Sequence, residues 1–441
     1  MFLTHQTDVA VRHQHVVRRR DFLKVISTAS LAAGTLDFSA GALGWRDLMA
    51  LEATNLRKRG MACVLLWMQG GPSHFETFSP HSGDNRGETK AIGTSVSGIE
   101  ISENFPIIAK QMDDLAIIRS MTSKEGAHPR ATYLMHTGYL PTASVKYPTF
   151  GSFVAQQLGN AAHELPSFVR IGDGRQGGVN GAGILGVDYE PFVMQSASGL
   201  PRNVVPTTDI ARYNRRLNLL EGLEAASEYP RGGGASDPEI ADHQKLYRKA
   251  SKMILSPSMT AFELEKEPQQ VRDAYGQGPF AAGCLMARRL IESGVTFVEV
   301  QLNGWDTHAD NFKECRRLCG QVDQPFATLI QDLKERGLYA STLVVWMGEF
   351  GRTPKINPRA GRDHYPKAFN VVLGGAGIQG GQVIGKTNGG AEVTDRPVTV
   401  PDLFQSFCKA LKIDANHENL ASNGRPIKIV DKGEAVKELF G

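Results

Sequence analysis

Short apolar runs that stop at glycine or at a polar residue recur along this chain of 441 residues. Residues 343–347 are aliphatic or aromatic, too few for a buried helix, and Gly348 follows them. Such a run is typical of a strand that is buried on both faces in a parallel sheet. The same pattern predicts strands at residues 62–68, 115–119, 167–171, 295–300 and 369–373.

Stretches with the period of an amphipathic helix lie between these strands. They predict helices at residues 46–57, 130–136, 150–158, 207–226, 240–255, 259–274, 283–293, 311–336 and 400–411. Alternating strands and helices favour an α/β fold. Between about 205 and 275 the helices follow one another without a strand, which predicts a helical insertion. Residues 229–236, rich in Gly, predict a flexible connection inside it.

The composition is that of an ordinary soluble protein, with 41% apolar and 22% charged residues. The length is sufficient for one large α/β domain or two smaller ones, and we expect residues 46–441 to form a single one. Residues 1–24 hold five basic and two acidic side chains, which accounts for the whole net charge of +3. The remainder is neutral, so the sequence predicts neither nucleic acid nor an anionic membrane as a partner.

The cysteines do not indicate a disulfide framework, because there are five of them and their spacing is irregular. Cys315 and Cys319 lie four residues apart, on one face of the helix predicted at 311–336. Three interpretations of this pair are metal binding, oxidation to a disulfide and packing as small apolar residues. Packing is the favoured interpretation.

The N-terminus has the pattern of a twin-arginine export leader. Arg19 and Arg20 are followed by Asp, Phe, Leu and Lys, then by a weakly apolar stretch at 25–36 and small residues at 40–42. We therefore predict a leader at residues 1–45 and export to the periplasm or cell envelope of a bacterium. The stretch is short and polar for a membrane span, and no span is predicted beyond the leader. The alternative is a disordered basic tail.

Side chains that bind metals follow three of the predicted strands. Glu76 follows the first, Asp306 and His308 follow the strand at 295–300, and Glu349 follows the strand at 343–347. Strand ends meet at one edge of an open α/β sheet, and in an extended segment Asp306 and His308 point to the same side. Imidazole with carboxylate suits zinc, manganese or iron, whereas carboxylates alone suit calcium or magnesium. The alternative is that each residue makes a surface contact or a structural hydrogen bond.

Five motifs in a fixed order carry a resemblance to a known family. They are GGPSHFETF, GWDTH, VVWMGEFGRTP, GRDH and VVLGGAGIQGG, and they follow the leader pattern. Together they resemble the bacterial family called domain of unknown function 1501, within the alkaline phosphatase-like superfamily that includes sulfatases and phosphatases. The resemblance implies a mixed, largely parallel central sheet sandwiched by helices, with a metal site at the sheet edge. It implies no particular substrate.

Site residues carry over from the resemblance one by one. Asp306, His308 and His364 are similar to one metal position of the superfamily. Glu349 stands where an Asp ligand is expected, and Phe350 where a His is expected. Further candidate ligands are Glu76, where relatives carry Asp, and Asp363. The superfamily nucleophile, counted back from Gly138, falls on His128.

The resulting hypothesis is a metal-dependent hydrolase of sulfate or phosphate esters. Asp306, His308 and His364 would hold a divalent ion (Zn, Ca, Mg or Mn), with a small-molecule or glycan ester as substrate. His128 would act as base or nucleophile, and Arg352 is a second candidate catalytic residue. The alternative hypothesis is a non-catalytic envelope protein that binds anionic glycans or other ligands in a degenerate metal pocket.

Overall fold

The structure is a computed structural model, and it describes residues 9–11, 15–17, 60–81, 83, 87–160, 163–172, 181–202, 204, 208–226 and 238–441. The chain divides into two compact units, Met1–Asn55 and Leu56–Gly441. In the first unit, Val9–Val11 and His15–Val17 pair as antiparallel strands. The leader motif and the helix predicted at 46–57 lie outside the described residues. Among the described residues, no helix has the length and apolar character to cross a membrane.

The second unit is built on a sheet that has nine strands within the described residues. They are β1 (Ala62–Gln69), β2 (Leu115–Thr122), β3 (Phe168–Ile171), β4 (Phe192–Met194), β5 (Phe297–Asn303), β6 (Thr342–Met347), β7 (Phe369–Gly374), β8 (Gln382–Ile384) and β9 (Val398–Thr399). Their order across the sheet is β8-β2-β7-β6-β1-β5-β3-β4, and β9 also pairs with β2.

Parallel pairing dominates the sheet. β1 lies parallel between β6 and β5, and the parallel run continues through β3 to β4. β7 is antiparallel to both of its neighbours, β6 and β2, so β2 again runs in the common direction. The predicted α/β class with a mixed, largely parallel sheet is confirmed. As a consequence, the carboxyl ends of β1, β2, β5 and β6 all lie at the same edge.

Helices cover both faces of this sheet. In the described residues they are α1 (His128–Thr137), α2 (Phe150–Leu158), α3 (Ile210–Ala226), α4 (Pro238–Ile254), α5 (Gln269–Tyr275), α6 (Pro279–Glu292), α7 (Asn311–Glu335) and α8 (Val400–Leu411). Successive side chains of a strand point to opposite faces. Val64 and Leu66 of β1 accordingly pack in the core formed with α6 and α7, while Leu65 and Trp67 pack in the core formed with α2 and α8.

Helices α3 and α4 lie where two of the three helices of the predicted insertion were expected, and the insertion itself stays a prediction. The helix predicted at 259–274 is wrong. Pro257–Phe262 and Leu264–Lys266 form short 3-10 turns, and only α5, after Pro268, is α-helical. A proline has no N–H to donate and disfavours a helical residue before it, so Pro268 interrupts the pattern.

The shortest elements were not anticipated from the apolar pattern. Strands β4, β8 and β9 have two or three residues each, too few to show a period. Four small antiparallel ribbons are also present among the described residues of the second unit: Ala91–Gly93 with Glu100–Ser102, Gly351–Arg352 with His364–Tyr365, Lys386–Asn388 with Glu392–Asp395, and Glu418–Leu420 with Pro426–Lys428. The second of these matters for the site, because it places Arg352 opposite His364.

Candidate metal centre

Three imidazoles converge on one carboxylate oxygen at the carboxyl edge of the sheet. The Nε2 atoms of His308, His364 and His128 lie 3.1, 3.2 and 3.3 Å from Oδ1 of Asp306. The Nε2 atoms of His308 and His364 are themselves 3.0 Å apart. We call these four side chains the centre. His128, predicted from the sequence as base or nucleophile, thus lies among the candidate ligands of the centre.

The sheet explains why these residues meet. Asp306 and His308 follow β5, and His128 opens α1, the first helix after β2. His364 lies in the small ribbon whose partner strand, Gly351–Arg352, follows β6. Each of the three strands ends at the same edge, so the turns that follow them share one crevice.

The second ring nitrogen of each histidine faces a hydrogen-bond acceptor. The acceptors are Glu349 Oε1 for His128 (2.7 Å), Asp363 Oδ1 for His308 (2.7 Å) and the carbonyl of Gly126 for His364 (2.8 Å). When the imidazole is neutral, as it is when it binds a metal, an acceptor at Nδ1 keeps the proton there and leaves the Nε2 lone pair directed at the centre. Histidines that bind metals almost always have this arrangement.

The spacing from Asp306 Oδ1 to the three Nε2 atoms is that of ligands to a shared ion, and the group whose atoms are all mutually close consists of His128, Asp306 and His364. Ligand atoms about 2.0–2.1 Å from one zinc ion lie about 2.9–3.4 Å from each other when their directions are tetrahedral or at right angles. The separations from Asp306 Oδ1 fall in that range. Moreover, Nε2 of His128 is buried and faces Asp306 Oδ1 at 3.3 Å. His128, Asp306 and His364 each offer an atom within 4.8 Å of the others.

Glu349 lies behind His128 and is fully buried. Both of its oxygens accept the N–H of Gly70, at 2.9 and 3.1 Å, and Oε1 also holds His128. Burial would lower the pKa of His128, but the hydrogen bonds and charges of Asp306 and Glu349 outweigh it and raise that pKa to about 9. The structure therefore gives Glu349 an orienting contact to an imidazole, where the sequence analysis expected a ligand.

Asp363 has the same relation to His308. The hydrogen bond from His308 is the main cause that lowers the pKa of Asp363. Asn357 fixes this pair, because its Nδ2 donates to the carbonyl of His308 at 3.1 Å and to Asp363 Oδ1 at 3.2 Å. Asp363, also expected as a ligand, holds an imidazole from the side away from the centre.

Arg352 lies beneath the centre and is fully buried. Its Nη2 donates to Asp306 Oδ1 at 2.6 Å. Its remaining bonds go to the backbone carbonyls of Gly70, Gly71, Trp305 and Arg362. Burial raises the pKa of Asp306, but His128, His364 and Arg352 together hold it well below its ordinary value. Arg352 thus contacts the centre only through Asp306, and the catalytic role predicted for it stays a prediction.

Glu76 has a different surrounding from the one predicted. Its Oε1 pairs with the guanidinium of Arg362 at 3.1 Å, and both side chains are fully buried. Glu76 was predicted as a ligand because it follows β1, as Glu349 follows β6. Arg362 pairs with the Glu76 carboxylate, so Glu76 contacts this arginine and not the centre.

A substitution of Glu76 distinguishes a metal ligand from a structural partner of Arg362. Glu76→Gln should leave the metal content of the protein unchanged but lower the free energy of unfolding by about 3 kcal/mol, since it removes a fully buried negative charge that pairs with Arg362. Urea denaturation and elemental analysis measure the two quantities. Loss of metal without loss of stability would restore Glu76 as a ligand.

Sequence reasoning missed the backbone carbonyl of Gly126 and the amide of Asn357. No pattern in the sequence marks a carbonyl as an acceptor for a histidine that lies 238 residues away. Asn357 lies six residues before Asp363 in a loop rich in Pro and Gly, where asparagine is common for its turn chemistry alone.

Comparison with known proteins gives a family but no curated relative. The family model described as protein of unknown function (DUF1501) matches residues 61–440. No curated protein matches the chain.

Solved structures similar in fold include sulfatases and phosphatases. Ps i-CgsB, in complex with k-i-k-neocarrahexaose, is 13% identical with a TM-score of 0.40, covering 86% of this chain and 75% of that one. The PsFucS1 sulfatase from Pseudoalteromonas sp. is 14% identical with a TM-score of 0.40, covering 83% and 70%. TAB5 alkaline phosphatase is 13% identical with a TM-score of 0.36, covering 80% and 98%. At these TM-scores the likeness transfers no function to this chain.

Proposed function

This chain belongs to the family of proteins of unknown function DUF1501, and we propose that it is a metal-dependent hydrolase of phosphate or sulfate esters. One observation carries the proposal. Three Nε2 atoms lie 3.1–3.3 Å from Asp306 Oδ1, and each of the three rings is held at Nδ1 by an acceptor. Such a set of imidazoles is built to bind a cation.

His128, His308 and His364 would hold the ion through Nε2, and Asp306 through its carboxylate. Three imidazoles with one carboxylate suit zinc, manganese or iron better than calcium or magnesium, which prefer oxygen ligands. When bound, such an ion polarises an ester oxygen and makes water a better nucleophile at neutral pH. This supports hydrolysis as the reaction.

The protein's own residues preorganise the donors and leave them open to a substrate. Glu349, Asp363 and the carbonyl of Gly126 fix the three rings before anything binds. The Asp306 side chain is 46% exposed, so a bulky ester can reach the centre from solvent. We therefore propose small-molecule or glycan esters as the substrate class.

One observation favours a second candidate, a non-catalytic protein that binds anionic ligands at the same centre. Among the described residues, no hydroxyl or thiol hydrogen-bonds the four side chains of the centre. An ester hydrolase whose covalent intermediate forms on a hydroxyl or thiol needs such a group. Hydrolysis by direct attack of water needs no such group. Measured turnover of an ester therefore distinguishes the hydrolase from the binding protein.

Two measurements on the purified protein test the proposal. Elemental analysis should find a stoichiometric transition metal, and aryl phosphates or aryl sulfates should be hydrolysed at a rate that chelation abolishes. Metal without turnover on either ester class would leave the binding protein as the better candidate. Absence of stoichiometric metal after zinc reconstitution would end the hydrolase and leave the binding protein as the remaining candidate.

The contact between Glu349 and His128 gives a graded prediction. Glu349→Gln keeps the shape of the side chain but removes the charge that holds the imidazole N–H. Zinc affinity should fall ten- to a hundredfold, the usual effect of losing such a partner, while saturation remains attainable. Competition with a chromophoric chelator measures it. Glu314→Gln, at an exposed pair with Arg317, is the control and should bind zinc like the wild type. Equal affinities in the two variants would contradict the assigned role.

We further propose that residues 1–45 direct export by the twin-arginine route. Replacing Arg19 and Arg20 with lysine should leave the protein in the cytoplasm, because a receptor reads the arginine pair. Cell fractionation with immunoblotting measures it, and Arg12→Lys is the control that keeps the pair. Unchanged export of the double variant would refute the leader.

A further inference from the structure

The guanidinium of Arg352 contacts the same oxygen of Asp306 as the three imidazoles of the centre. Arg352 Nη2 lies 2.6 Å from Asp306 Oδ1, closer than any of the three imidazoles. The side chain is fully buried, and among the described residues Asp306 is its one ion-pair partner. A guanidinium keeps its charge at any pH that a folded protein survives.

Arg352 has no freedom to leave this position. Its Nε, Nη1 and Nη2 donate to carbonyls of the turns that carry the site, those of Gly70, Gly71, Trp305 and Arg362. Swinging the side chain away would leave these buried carbonyls without donors, which costs about 1–3 kcal/mol for each group. The charge is therefore a permanent part of the centre.

The charges around the centre match one divalent ion. Asp306, Glu349 and Asp363 contribute three negative charges, and Arg352 contributes one positive charge. Imidazoles that bind a metal are neutral, so the formal charge is −2. One divalent ion neutralises it, whereas two ions would leave a partly buried site at +2 with no counter-charge, which is unfavourable.

We propose that the centre holds a single divalent ion and that the fixed positive charge of Arg352, at Asp306, disfavours a second one. This inference rests on the metal centre of the proposed function but not on hydrolysis. Arg352 acts through Asp306 and is a positioning residue. The consequence is a hydrolase with one metal ion and, beside it, the guanidinium of Arg352 as a fixed positive charge.

Zinc stoichiometry tests the proposal directly. Metal-free full-length protein is titrated with Zn²⁺ by calorimetry and, after dialysis, its zinc is counted by elemental analysis. Zinc that also binds a His128→Ala, His364→Ala double variant is subtracted as surface binding. We expect one equivalent. Two equivalents would overturn the inference and leave the proposed function standing, whereas none would end both.

A matched pair of variants isolates the charge of Arg352. Arg352→Lys keeps the charge and Arg352→Gln removes it, and both lose most of the donors to the carbonyls. The Gln variant should bind Zn²⁺ at least tenfold more tightly than the Lys variant or take up a second equivalent. Equal affinity and one equivalent in both variants, with native circular dichroism, would overturn the role of the charge. If either variant fails to fold, the wild-type stoichiometry decides alone.

Discussion

His364→Ala should lose stoichiometric metal and, with it, ester hydrolysis. The variant removes one of the four donors of the centre but no charge, so Arg352 and Asp306 remain paired. Losing an outer partner of a metal-binding histidine costs ten- to a hundredfold in affinity, and losing a donor should cost at least about a hundredfold. Equilibrium dialysis against buffered zinc, followed by an aryl phosphate assay, measures both effects.

The control for this variant is His417→Ala. His417 is exposed, and its substitution removes an imidazole of the same size far along the chain, in the loop after α8. It should retain the metal content and rate of the wild type. Full zinc occupancy of His364→Ala under conditions where His417→Ala is saturated would contradict the centre described above.

Arg288→Met should lower the free energy of unfolding by about 3 kcal/mol. Arg288 of α6 is fully buried and pairs with Glu267 and Asp332 at 2.8 Å each and with Glu292 at 2.9 Å. Methionine is of similar length but leaves buried carboxylates with less positive charge. Arg336 still pairs with Asp332, which keeps the loss at the lower end for a broken buried pair.

Urea denaturation measures this loss, and Arg317→Met is its control. Arg317 of α7 is 53% exposed and pairs with Glu314 at 2.9 Å on the same helix. Exposed pairs of this kind contribute about 0.2–1 kcal/mol. Equal stability of the two variants would show that the buried network contributes no more than a surface pair.

The network also predicts a dependence on pH. Burial raises the pKa of Glu267, but Arg288 and Arg289 outweigh it, so the pKa lies below its ordinary value. A carboxylate with a lowered pKa stabilises the fold above the ordinary pKa of about 4.3, and this contribution disappears as pH falls through the folded value. The difference in free energy of unfolding between wild type and Arg288→Met should therefore become smaller below about pH 4.

Local patterns were sufficient for most elements of the fold. The bounds predicted for α2 and α8 agree with those observed, and α8 begins with the capping box of Thr399 and Asp402. All six strands predicted from apolar runs lie in the central sheet. These elements have periods or caps within a few residues, so sequence suffices to recognise them. Two-residue strands and the 3-10 turns around Pro257 lack such a period.

Within the site, the sequence determined which side chains stand at the ends of strands, because strand length and the following glycine are local properties. It did not determine their roles. Glu76 and Glu349 occupy equivalent places after β1 and β6, yet one pairs with Arg362 and the other holds His128. These partners are 286 and 221 residues away in the chain.

Only the tertiary structure decided that His128 faces Asp306 and that Arg352 is buried beneath it. A role as ligand, orienting acceptor or fixed charge depends on distances of about 3 Å between atoms of separate segments. The order of strands across the sheet sets those distances, and the chain order does not reveal it. The composition of the centre follows from local sequence, whereas its chemistry follows from the packing of β1, β5 and β6 side by side.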